Sequence, residues 1–82
     1  INSYKTKNNS EFNHLDLYRL TNLGEDLWYE VEELINKPNS VTIIEWPDLI
    51  EQKLLENFSG KLKKIEIEYA KDNNRLYKLL EY

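Results

Sequence analysis

The chain has 82 residues, a net charge of −4, no cysteine and a single histidine, His14. That length allows one domain with a small core, and the composition excludes a disulfide framework, a thiolate zinc site and a metal cage built of histidines. The negative balance argues against autonomous nucleic-acid binding, which depends on lysine and arginine meeting phosphate, and no basic-then-apolar leader or run of roughly 18 apolar residues occurs, so the default expectation is a soluble cytoplasmic protein.

The chain contains no methionine and begins at Ile1-Asn2-Ser3-Tyr4, which reads as the end of a strand, so a fragment of a larger unit is expected. Residues 1–5 are extended and Lys5 to Glu11 form a polar turn. Phe12 to Tyr18 reads as a strand, with Phe12, His14, Asp16 and Tyr18 on one face and Asn13, Leu15 and Leu17 on the other. Asn22 and Glu25 have the spacing of a capping box, and a helix should follow. In it Leu27, Val31, Leu34 and Ile35 fall at helical spacing beside Trp28, with Glu25, Asp26, Glu30, Glu32 and Glu33 facing solvent. Lys37-Pro38-Asn39-Ser40 ends it.

Val41-Thr42-Ile43-Ile44 drops the apolar/polar alternation, which predicts a central strand buried on both faces. Pro47 cannot donate to a sheet ladder, so the strand stops with Glu45 and Trp46 at its carboxyl end. Pro47 suits a first helical turn, and Asp48 to Phe58 carries Ile50, Leu54, Leu55 and Phe58 on one side of a helix ended by Ser59-Gly60. Leu62 to Tyr69 alternates, with Ile65, Ile67 and Tyr69 on the packed face and Glu66 and Glu68 on the wet one. Lys71-Asp72-Asn73-Asn74 is a turn, and Arg75 to Tyr82 closes a hairpin, although Leu76, Leu79 and Leu80 also suit one face of a helix. Lys61, Lys63 and Lys64 make a small basic cluster of the kind found on a solvated loop or strand edge.

Two stretches carry chemistry. Glu45 closes a strand of strand-forming hydrophobics, the place where many nucleotide hydrolases hold magnesium, because the hard cation takes carboxylate oxygen next to phosphate. A solvated strand end is the plainer reading. Asp16 lies near the end of its own strand between His14 and Arg19, where it can orient water or support a metal, or simply pair with Arg19. If the two strands are neighbours, Asp16 and Glu45 converge on one crevice at the sheet edge where open α/β sheets bind ligands. No serine elbow or cysteine nucleophile accompanies them, so paired carboxylates favour metal-assisted phosphate chemistry over acyl transfer. A Gly-rich loop ending in Lys-Ser/Thr would complete such a site, yet the only glycines are Gly24 and Gly60 and neither belongs to one.

The run His14-Leu15-Asp16-Leu17-Tyr18-Arg19-Leu20, with Glu45 following 29 residues after Asp16 inside Ile43-Ile44-Glu45-Trp46-Pro47, resembles the TsaE family. These are small bacterial P-loop ATPases of tRNA threonylcarbamoyladenosine synthesis. The resemblance covers essentially the whole chain but only the later half of a family member. It implies that residues 1–82 are a single-domain, C-terminal fragment of α/β class: a mixed sheet with packed helices, lacking the Walker A half of a P-loop NTPase-like fold. It further implies Mg2+ and ATP or ADP as ligands of the intact protein. Glu45 would be the magnesium-associated acid of the Walker-B type, Asp16 would assist metal or water placement, and Trp46 would pack at the nucleotide. Arg75 falls where members often carry a nucleotide-touching arginine, commonly after glycine, whereas Asn74 precedes it here. His14, Tyr18 and Arg19 would be site walls or partner contacts.

The implied partners are the threonylcarbamoyl transferase TsaD and its partner TsaB, with tRNA contacted indirectly through the complex. Without a phosphate cradle these residues are not expected to hydrolyse ATP alone, and the sheet should expose an open edge. The alternative is a non-catalytic α/β interaction module in which Trp28, Trp46, Tyr18 and Tyr82 form a partner surface.

Overall fold

The computed structural model describes residues 1–82 and has two sheets and two helices. Strands β1 (Asn2–Lys5), β2 (Glu11–Asp16) and β3 (Ser40–Glu45) form one mixed sheet in that spatial order, β1 antiparallel and β3 parallel to β2. Asn9, at φ 58°, turns the chain between β1 and β2, as its short polar side chain tolerates left-handed backbone. Helix α1 (Glu25–Ile35) supplies the crossover that a parallel pair requires. A 3-10 turn at Pro47–Leu49 leads into α2 (Glu51–Asn57), and β4 (Lys63–Tyr69) with β5 (Arg75–Glu81) makes a separate antiparallel hairpin.

The core lies between one face of the three-stranded sheet and the helices. Leu15 and Leu17 from the β2 segment meet Trp28, Val31 and Leu34 of α1 and Ile50 and Leu54 around the start of α2. The period-two reading of β2 groups Asn13, Leu15 and Leu17 on one face, which is the face that is buried, and the period-3.6 reading of α1 identifies its inward face. One polar side chain enters this interior. Asn13 is fully buried, accepting from Ser3 Oγ at 2.8 Å and donating to Thr42 Oγ1 at 3.3 Å.

Several expectations are corrected. The strand at 41–44 is neither central nor covered on both faces: β3 is an edge strand, and Val41 and Ile43 are 60% and 46% exposed. An apolar run marks residues able to be buried on both faces; whether both are covered depends on what packs there. The Asn22 capping box does not form, because α1 is capped by Gly24 with no side-chain bond to the free amides. The helix drawn from 48 to 58 is broken at Ile50, where a 3-10 turn gives way to α2, and Leu55 points to solvent. The hairpin does not join the main sheet, and its faces are reversed. Register pairs Ile65 with Leu79 and Ile67 with Tyr77 on the solvent side, while Lys64, Glu66 and Leu80 are half-buried.

Polar tethers account for that reversal. Lys64 Nζ lies 2.7 Å from Glu51 Oε1 on α2 and 3.5 Å from Glu66, and the hydrogen bond with Glu51 raises the Lys64 pKa above its ordinary 10.5. Tyr82 donates its hydroxyl to the same Glu51 oxygen at 3.4 Å and its amide to the Leu62 carbonyl at 3.1 Å. No helix is long and apolar enough to cross a membrane.

Candidate functional site at the carboxyl edge of the parallel pair

Parallel pairing aligns β2 and β3 so that Asp16 stands opposite Glu45, and the Leu17 amide donates to the Glu45 carbonyl at 3.1 Å to continue the ladder. Both acids therefore emerge side by side from the carboxyl edge of neighbouring strands, the position at which open α/β sheets take ligands. Asp16 Oδ1 accepts the Tyr18 amide at 3.0 Å, an Asx turn that bends the chain away from the sheet and fixes that carboxylate. Two residues earlier on the same face, His14 Nε2 lies 3.2 Å from Glu45 Oε2, so the histidine orients the second acid.

Aromatic groups wall the edge. Trp46 has left-handed backbone, φ 57° and ψ 61°, and its exposed ring lies 4.9 Å from that of Tyr18, tilted by 39°. Arg19, also left-handed at φ 74°, places its guanidinium 5.5 Å from the Tyr18 ring centre. Two bulky residues at positive φ within one edge are a local cost that surrounding structure must hold in place, and such strain gathers at functional sites. Arg19 makes no ion pair with Asp16, so the purely structural pairing considered for these two is not what organises the site.

The structure thus brings together six of the seven residues singled out: His14, Asp16, Tyr18, Arg19, Glu45 and Trp46. It does not bring in Arg75. That residue opens β5, its guanidinium sits 5.6 Å from the Tyr69 ring, and no hydrogen bond or ion pair links it to the β2–β3 edge. Trp28, one of the aromatics of the interaction-module reading, is buried in the core and unavailable as surface. Asn13 went unmarked as an organising residue, although a lone amide on the face shared with Leu15 and Leu17 was a visible signal. The left-handed Trp46 has no such signal, since a following proline favours extended backbone at negative φ.

No group of three or more acidic or histidine side chains is placed to hold a metal ion by itself. What is present is two carboxylates, hard oxygen donors on adjacent strands. That donor set fits magnesium, which is commonly held through one or two carboxylates together with phosphate and water oxygens, and does not fit a closed protein cage.

The fold and this edge define an α/β protein with paired acids and an aromatic wall at the carboxyl end of a parallel strand pair. Residues 1–77 match the family model described as Threonylcarbamoyl adenosine biosynthesis protein TsaE, and the chain belongs to that family, which is tied to threonylcarbamoyladenosine modification of tRNA. No curated protein and no solved structure matches the chain.

Proposed function

We propose that the β2–β3 carboxyl edge is the metal- and nucleotide-facing half of an ATP-hydrolysing site that serves threonylcarbamoyladenosine modification of tRNA. The observation that carries this reading is the register pairing of Asp16 with Glu45, beside Trp46 and Tyr18. Glu45 and Asp16 would hold Mg2+, with His14 orienting the Glu45 carboxylate and Asp16 placing water. Magnesium held by these two carboxylates would supply charge neutralisation to a bound polyphosphate. The exposed Trp46 ring offers a flat face against which the nucleotide can pack. The phosphate loop would come from sequence outside residues 1–82, and hydrolysis would require it, since backbone donors and a lysine carry most of the stabilisation of a transferring phosphoryl group. In this reading the protein works in the cytoplasm with the transferase TsaD and its partner TsaB, and meets tRNA through them.

Calorimetric titration of magnesium–ATP tests the proposal in a protein that joins this chain to its phosphate loop. Glu45→Gln should weaken magnesium-dependent binding by at least tenfold and Asp16→Asn by less. Equal affinity in wild type and Glu45→Gln would remove the nucleotide role and leave the carboxyl edge as a partner-binding surface.

A further inference from the structure

The buried Asn13 amide bridges three strands at one level. Its oxygen accepts from Ser3 on β1, its nitrogen donates to Thr42 on β3, and both partners are its register mates, Ser3↔Asn13 and Asn13↔Thr42. The offset that pairs Asn13 with Thr42 is the same one that pairs Asp16 with Glu45. On this inward face the residues between Asn13 and the site, Leu15 and Leu17, are both leucine, while Glu11 at the far end of β2 is half-buried and pairs with Lys37 at 3.3 Å. Leucines pack acceptably in more than one register, whereas an amide in a dry interior is satisfied only where hydroxyls meet it.

The competing registers can be followed one by one. A one-residue slip turns Thr42 and Ile44 outward and faces Asn13 with no hydroxyl on β3. A two-residue slip in one direction sets Asn13 against Ile44. In the other direction it sets Asn13 against Ser40, whose Oγ donates to the Lys37 carbonyl at 2.7 Å in the α1–β3 turn and would be pulled from it. Each slip also parts Asp16 from Glu45.

We propose that Asn13 is the positioning residue of the candidate site: the Ser3–Asn13–Thr42 network selects the single β2–β3 register that sets Asp16 against Glu45, while contributing little net stability. This follows the best attested use of buried polar groups, the choice of one arrangement among apolar packings that are equally acceptable. The inference rests on the proposed joint role of the two acids only for its functional consequence; the register itself is a separate observable.

The test uses NMR on the chain, comparing wild type, the apolar triple variant Ser3→Ala/Asn13→Leu/Thr42→Val, which leaves no orphaned partner, and the conservative Thr42→Ser. The triple variant should keep its melting temperature within a few degrees, yet show split β2–β3 signals and at least tenfold faster exchange of the Leu17 amide, with the Asp16–Glu45 cross-strand contact weakened. Thr42→Ser, which keeps the hydroxyl, should retain the single wild-type register, and split β2–β3 signals in it would also overturn the proposal. A triple variant with one intact set of β2–β3 contacts and wild-type Leu17 protection overturns the proposal. So does one that unfolds, since the network would then supply stability and not selection. Added Mn2+ separates the two readings. If it broadens neither acid in wild type, the metal reading fails whatever the register result, and if it broadens both there, broadening in the triple variant should no longer fall on the two acids jointly.

Discussion

The three-stranded sheet with its helices and the β4–β5 hairpin carry equally regular hydrophobic patterns and meet opposite fates. In β2 the alternating face of Leu15 and Leu17 is buried under α1; in β4 the alternating face of Ile65, Ile67 and Tyr69 looks into solvent, with Ile67 60% exposed. Alternation therefore identifies which residues share a face, and only a packing partner decides that the face goes inside. Helix α1 is that partner for the main sheet. The hairpin instead lays its charged side toward α2, where Glu51 holds both Lys64 and Tyr82.

The contrast predicts unequal responses to the same truncation. Leu15→Ala or Ile50→Ala should cost about 2–4 kcal/mol by urea unfolding, because each empties a fully packed position. Ile67→Ala should change stability by no more than about 0.5 kcal/mol, as expected of a solvent-facing site. Comparable losses at Ile67 and Leu15 would mean that the hairpin face is covered in solution.

A smaller effect concerns the acids. The His14–Glu45 pair is exposed, so Glu45→Gln should alter stability by less than about 1 kcal/mol while abolishing metal response at the edge. A large destabilisation would recast Glu45 as a structural residue. The smallest effect is the hairpin tether. Lys64→Met should speed amide exchange in β4 and β5 near neutral pH without unfolding the main sheet. Because the Glu51 bond raises the Lys64 pKa, its contribution is complete below the ordinary 10.5 and is lost as pH rises through the elevated value. Wild type and Lys64→Met should then converge in strongly alkaline solution; a difference that persists there would assign the tether to packing.

Much of the site was legible in the sequence because its parts are local. The strand-ending acids and the aromatic after Glu45 each depend on a few neighbouring residues, whereas the Asx turn that ends β2 at Asp16 replaces the strand expected to run on to Tyr18. The strand pairing that joins them needs β2 and β3 to be sheet neighbours in the register that sets Asp16 against Glu45. What was not legible depends on distant partners: the edge position of β3, the reversed hairpin and the separation of Arg75 from the edge. The split of the second helix at Ile50 belongs with these, since Ile50 is drawn into the core and the regular turn breaks around it. Asn13 lies between the two cases, visible as an intruder on an apolar face but meaningful only once Ser3 and Thr42 are seen beside it.

The most direct measurement is paramagnetic broadening of backbone NMR signals by Mn2+ in wild type and Glu45→Gln. The account predicts that broadening in wild type centres jointly on Asp16 and Glu45, spares the acidic outer face of α1 from Glu25 to Glu33, and disappears from the edge in the variant. Broadening that centres on α1, or that persists at Asp16 without Glu45, would contradict the claim that the two strand ends form one site.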